Sequence, residues 1–587
     1  MLDANIARPP PAPAAGAAKT RRNATALAAL LEDGDAGFAE SNLKHAVNGF
    51  MYCNLPGLEM RRGVPSRFHF FALGGGSDMH TPSSAEVTAF LSGHRRQALQ
   101  LLPGAFFSTD MTPPVAGQGM LQCAVADHVS GGMSTLFSVT AEGGGPGLDA
   151  AAAAAAPERV FFVAAESVDW DYAPLGGSAA GGTTNGCPAT GAVPLTEDER
   201  VFTITNEGGV GSRYRKARFV LYEDEKFETP VPGNGYSVGG EGGAGSGLVV
   251  PEGWTGLTGP LLGAEEGDRI VVHFLNRLPF EASVHPSGGF VSLGGEEEGG
   301  GKEAAGTKAG AKKDTPAAKA APAPASGRRR LLITAGEAAG EAAVAAATSS
   351  LSSEAGVAPG GARRYEWLVP EGAGPGPNDG DVVAYSYSSG ASPIAHANAG
   401  LVGPVLVYAK GKMPPPQQQA ADGDGGGGSD AALGSAERPL VLPLYLAVMN
   451  EMGSPFFEDN VARAEASAGP GGVVVDREAL TFPESNLMHQ ANGYLYCNQP
   501  GSLALPLGTN VRWIVFGFGS ETDMHSPVFA GQRVTSPLAS GGTYTVGLMP
   551  ASTAVVEMEA VATGAWEAYC AVTDHYFAGM RVRMLVV

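Results

Sequence analysis

The chain has 587 residues, too many for one hydrophobic core and enough for roughly three or four domains. Acidic residues outnumber basic ones 59 to 38, a formal charge of -21, which excludes phosphate-backbone binding to nucleic acid and favours cationic solutes. The longest apolar runs, such as residues 440–449, fall far short of a membrane span, so no transmembrane segment is expected. With 85 glycines and 43 prolines punctuating short apolar runs, the composition reads as all-β sandwich or barrel.

The chain opens on a Pro/Ala-rich tract, residues 9–18, without the charged and apolar regions of a signal peptide. No strand is legible before residue 38. A sandwich short of a strand exposes an unpaired edge, so the first domain, residues 38–140, is expected to lack its first strand and the chain to be a fragment.

Residues 40–57, ESNLKHAVNGFMYCNLPG, recur at 484–501 as ESNLMHQANGYLYCNQPG. This internal repeat pairs the first domain with a last one, residues 436–587. Each copy is followed by one further pattern. An Asp-Met-His tripeptide ends at His80 or His525; then, 43 or 45 positions on, comes Cys-x4-His-x4-Met: Cys123, His128 and Met133, or Cys570, His575 and Met580. A thiolate and two imidazoles with a weak thioether suit copper cycling between its two oxidation states. Structural zinc sites favour close Cys and His pairs and do not use Met. Two blue-type copper sites are therefore expected, and electron transfer with them.

With Cys123 and Cys570 assigned to copper, three cysteines are left. Cys53 and Cys497 hold equivalent places in the repeats and Cys187 lies in a Gly-rich loop; all three are expected to be unpaired thiols.

The middle unit, residues 158–410, opens with a strand-like run at 159–163 and closes at Gly400-Leu-Val-Gly-Pro404. Within it, residues 291–364 are rich in Gly, Ala, Glu and Lys and too poor in large apolar side chains to offset their ordering entropy, so a disordered insertion is expected. Residues 141–157 and 410–436 read as linkers. The last domain starts with a strand at 438–448.

These residues resemble the ceruloplasmin and hephaestin type of multicopper ferroxidase. The resemblance is carried by the two ESNxxHxxNG repeats, WDYAP at 170–174, GPLL at 259–262, GPGPND at 374–379, GLVGP at 400–404 and both copper patterns. It implies three cupredoxin-like Greek-key β-barrel or sandwich domains, even, odd and even members of a larger ring. It also implies Fe(II) as substrate, oxidised to Fe(III) with electrons passed to blue copper, and an extracellular or cell-surface location. Further cupredoxin domains or an iron permease would be the partners.

The same resemblance implies iron ligands beside each copper: Glu40, His45 and Asp127 in the first domain, and Glu484, His489 and Asp574 in the last. Glu521 would complete the first-domain set, because Gly76 stands at its counterpart position. Dioxygen reduction in the family needs four His-x-His pairs. Here the middle-domain positions carry His285 with Ser287, and Ser388 with Gly390; Gln122 and Ala124 flank Cys123, while Tyr569 and Ala571 flank Cys570. No oxygen-reducing cluster is expected from this chain alone, and His285 is expected to be an ordinary polar or satisfied core histidine. The alternative function is a non-catalytic blue-copper electron-transfer or copper-binding protein.

Overall fold

The computed structural model describes residues 41–73, 79–145, 153–176, 184–187, 193–236, 250–298, 356–414, 433–467, 472–518, 524–537, 542–543 and 545–587. Their architecture is all-β, in two-sheet sandwiches.

In the last unit, Leu440–Asn450 is buried along almost its whole length, as befits an apolar strand covered on both faces. It pairs in parallel with Asn510–Gly517 and antiparallel with Leu487–Ala491. Thr553–Glu559 extends this sheet beyond Asn510–Gly517. The opposing sheet runs Leu503–Leu505, Arg581–Val586, Gly564–Cys570, Pro527–Phe529. Leu442, Trp513, Val556 and Met584 share the buried core.

The first unit repeats the design with less material. Gly117–Cys123 lies between Ser134–Thr140 and Pro82–Ser83, opposite a sheet in which Ser66–Phe71 pairs with Phe106–Met111. Ser66–Phe71 corresponds to Asn510–Gly517, but among the described residues no counterpart of Leu440–Asn450 lies along its other edge. Phe71 and Phe106 are exposed.

In the middle unit, Glu158–Asp171 pairs antiparallel with Arg213–Tyr222 and parallel with Arg269–Asn276. Ala362–Leu368 joins the other edge and pairs with Val291–Glu298. The insertion expected at 291–364 is thus narrower than its composition suggested: both of its ends are sheet. Val291 and Leu368, with Ala153 from the expected linker, form a small buried cluster, and that apolar burial fixes both ends of the tract. Residues 299–355 lie outside the described residues.

The Asn-Gly pairs inside the two repeats explain their sequence. Asn48 and Gly49, like Asn492 and Gly493, all take positive φ. A two-residue hairpin turn with both central residues left-handed is the conformation Asn-Gly serves best, and it is closed by the Val47/Phe50 and Ala491/Tyr494 bridges.

Buried polar contacts join the units. Between first and middle, Asp379 accepts from Arg95 N–H at 2.7 Å and contacts His94 Nδ1 at 2.9 Å, while Gln97 and Ser386 exchange two hydrogen bonds. Between middle and last, Lys216 and Glu451 form a fully buried ion pair. Tyr172 Oη donates to Glu451 at 2.6 Å, and Lys216 Nζ donates to the Asn398 carbonyl at 2.6 Å. Burial pushes the Lys216 ammonium down and the Glu451 carboxyl up, and their mutual attraction opposes both shifts.

Cys187 and Cys497 form a disulfide between the middle and last units across 310 positions. This overturns the expectation of unpaired thiols for both. The strand ladder and the left-handed turn at Tyr496 and Cys497 carry Cys497 to the Cys187 loop, a proximity that sequence distance conceals. Cys53 is free, and its thiol donates to Ser134 Oγ at 3.4 Å.

Candidate metal centres

The two Cys-x4-His-x4-Met runs fold alike. Each Cys ends a strand, Gly117–Cys123 or Gly564–Cys570, and each His sits on a short helix, Ala126–Ser130 or Thr573–Phe577. Backbone bonds close each loop. Cys123 N–H donates to Met133 O at 3.0 Å and Met133 N–H to His128 O at 2.8 Å; the counterparts at Cys570, Met580 and His575 are 3.1 and 2.9 Å. The distant histidine arrives by strand pairing, since Pro82 pairs with Cys123 and Pro527 with Cys570, two positions beyond His80 and His525.

The ligand atoms converge as the spacing predicts. His80 Nδ1 lies 3.1 Å from His128 Nδ1, which lies 3.4 Å from Cys123 Sγ. In the last unit the His525 and His575 Nδ1 atoms are 3.2 Å apart, with Cys570 Sγ at 3.9 and 3.4 Å from them. All ligand atoms of each trio lie within 4.8 Å of one another. A metal at bond lengths of about 2.0 Å to nitrogen and 2.3 Å to sulfur spans such separations, so two imidazoles and a thiolate fit copper at both places.

The surroundings prepare the sulfur. Thr81 N–H and Ser526 N–H each donate to the nearby Sγ at 3.3 Å. Burial pushes the Cys123 thiol up to about 11, so at neutral pH a bound metal must displace its proton. Met580 is fully buried and Met133 half-buried, each tied by its backbone to the Cys and His of its own trio.

Of the expected iron ligands, Glu40 and Glu521 lie outside the described residues, as does Gly76. Two of the remaining ones, His45 and His489, lie beside the metal trios. His45 stacks on His128 with ring centroids 5.0 Å apart, and His489 lies 5.2 Å from His575. Glu484 Oε1 is 3.7 Å from His489 Nε2. The His489 ring is buried and neither nitrogen has a hydrogen-bond partner, a costly state for an imidazole unless something else binds it. Asp127 and Asp574 are exposed on the same short helices as His128 and His575. Phe202 of the middle unit, which no sequence pattern singled out, packs edge-on against His489 at 5.6 Å.

A cavity of about 510 Å³ lies where the first and middle units meet, with Phe518, Pro550 and Ala551 of the last unit also in its lining. From the first unit, Ser83, Ala85, Gln122 and Ala124 line it; from the middle unit, His285, Ser287, Ser388 and Gly390 do. Six positions that the resemblance equates with cluster ligands (122, 124, 285, 287, 388 and 390) thus converge on one space, and His285 is the single histidine among these six. His285 Nδ1 is shut away from solvent with no partner, contrary to the expectation of a satisfied core histidine, and burial holds the ring down at about 4.

No family model matches the chain. Hephaestin of Rattus norvegicus is 29% identical over 563 residues, 95% of this chain and 40% of the relative. Ferroxidase HEPHL1 of Mus musculus is 28% identical over 555 residues, 94% and 39% respectively, and ceruloplasmin of Ovis aries 27% over 562 residues, 95% and 44%. The chain spans about two fifths of the length of the curated relatives it matches. A solved multicopper oxidase aligns over 73% of this chain and 89% of its own, at 14% identity and a TM-score of 0.34. The relatives bear out the resemblance to the ceruloplasmin and hephaestin type over nearly the whole chain.

Proposed function

We propose that this chain is part of a multicopper ferroxidase-type oxidoreductase, in which Fe(II) is oxidised to Fe(III) beside either of two blue-type copper sites. The proposed copper ligands are His80, Cys123, His128 and Met133, and His525, Cys570, His575 and Met580. The observation that carries the reading is the buried His489 ring, which has no hydrogen-bond partner and lies 5.2 Å from His575 and 3.7 Å from the Glu484 carboxylate. Copper, when bound, supplies a one-electron acceptor next to these residues.

The protein's own groups do the rest. Glu484 and Asp574 supply oxygen donors and His489 a nitrogen donor, a set that suits iron. Carboxylates hold the product Fe(III) more tightly than Fe(II), which makes loss of the electron easier. The -21 charge raises the local concentration of cations. Phe202 limits the space around His489 and so its rotation. In the first unit His45 and Asp127 take the same parts, with Glu40 and Glu521 as proposed further ligands.

An extracellular or cell-surface setting is part of the proposal, and the Cys187–Cys497 disulfide supports an oxidising compartment. Further cupredoxin domains or an iron permease are the proposed partners. A second reading, a blue-copper electron carrier without oxygen chemistry, is favoured by the single histidine among the six mapped cavity positions. One experiment tests the ferroxidase reading. The copper-loaded chain is mixed with Fe(II) without oxygen, and the Fe(III) formed and the bleaching of the thiolate-to-copper band are measured. Up to two Fe(III) per chain, formed in step with bleaching, supports the ferroxidase reading; an unchanged band contradicts it.

A further inference from the structure

The cavity between the first and middle units is not explained by metal chemistry. Its walls are polar without being charged. Gln122 and Glu86 face it from the first unit, and Ser388 and Asn398 from the middle one. No Lys or Arg is among the described residues that line it. Glu86, its one carboxyl, is already engaged: Ser84 Oγ donates to it at 2.8 Å and Met120 N–H at 3.3 Å. Burial pushes that carboxyl up, towards its neutral form.

Three features together point to a ligand. At about 510 Å³ the volume lies in the range of small-molecule sites. The half-buried His285 ring lines the cavity, so the accessible edge of that imidazole is open to an occupant, while Nδ1 on its sealed side is not. Val129, Ile394 and Phe518 add apolar wall beside the hydroxyls and amides. An anion would meet no cation. A strongly charged cation would meet only a carboxyl that burial drives towards neutrality. What complements such a lining is an uncharged body that carries both apolar surface and hydroxyls.

We propose that this cavity binds a small, uncharged ring compound bearing hydroxyl groups, held by His285, Gln122 and Ser287. The site is independent of the iron reading, yet Gln122 adjoins Cys123, so an occupant sits one residue from the first copper trio.

The test titrates the whole chain with resorcinol and with myo-inositol, which separate an aromatic from an alicyclic occupant, and with benzoate as the charged control. One saturable site per chain is expected for at least one neutral probe, with Kd on the order of 1 mM. Gln122→Leu and Ser287→Leu should each weaken it at least about tenfold, with the thermal midpoint followed as a check on folding. Imidazole nitrogen NMR, with His285 assigned by His285→Gln, should show that ring shifting on titration; this readout stands even if a cavity variant folds poorly. Absence of saturable binding by either neutral probe, a still His285 resonance, or benzoate binding as tightly as the neutral probes would each overturn the proposal.

Discussion

The His489 and His575 rings lie 5.2 Å apart, centroid to centroid, inclined at 50°. Their counterparts in the first repeat, His45 and His128, lie 5.0 Å apart. In both units a second imidazole therefore backs the helix-borne histidine of the metal trio. Because the pairs come from repeats separated by more than 400 positions, the arrangement belongs to the repeated unit and not to one local accident.

Two separate trios imply two independent coppers. The loaded chain should hold two copper ions and show one intense visible band, and Cys570→Ser should remove about half of that band while leaving the first-unit copper in place. An undiminished band would mean that Cys570 is not a ligand.

The Cys187–Cys497 disulfide closes a loop of 310 positions. Replacing both cysteines with Ala should destabilise the chain by about 2–5 kcal/mol, seen as a lower denaturation midpoint. Thiol titration of the unfolded, metal-free, unreduced chain should count three thiols, Cys53, Cys123 and Cys570. Five thiols would rule the bond out.

Lys216 and Glu451 are both fully buried, so removing one charge strands the other. Glu451→Leu alone or Lys216→Met alone should cost about 3–5 kcal/mol, and the double substitution should recover most of that loss. Additive losses in the double variant would show that the two side chains do not act as a pair.

Burial holds both His285 and His396 down at about 4, against an ordinary value of 6.5. Their folded pKa is depressed, so between pH 6.5 and 4 the unfolded chain binds more protons and stability falls as the pH falls. The contribution is complete above about 6.5 and lost progressively towards 4, on the order of a few kcal/mol in total. His396 also bonds Ser389 Oγ at 2.8 Å. His396→Gln should flatten part of the stability-pH curve in that window; a curve of unchanged slope would contradict the assignment.

Much of this was legible in the sequence because repetition exposes geometry. The Asn-Gly turns, the Cys-x4-His-x4-Met loops and the strand at the start of the last unit are local patterns, and each has the conformation its residues favour. What stayed hidden is non-local. Cys187 meets Cys497 through the packing of two sandwiches, and Phe202 reaches His489 from a short 3-10 helix without a motif. Val291–Glu298 is glycine- and glutamate-rich, yet it forms a strand because Ala362–Leu368 supplies a ladder to join. His285 looked like an ordinary core residue until the cavity beside it came into view.

The most direct measurement concerns electron entry at the last-unit copper. In a Cys123→Ser background only that copper reports, and Fe(II)-driven bleaching is followed by anaerobic stopped flow for chains with and without His489→Ala and Glu484→Ala. Each substitution should slow bleaching at least about tenfold, equivalent to about 1.4 kcal/mol in the barrier, while the copper band itself keeps its position and intensity. Equal bleaching rates with and without His489 and Glu484 would contradict an iron site beside this copper.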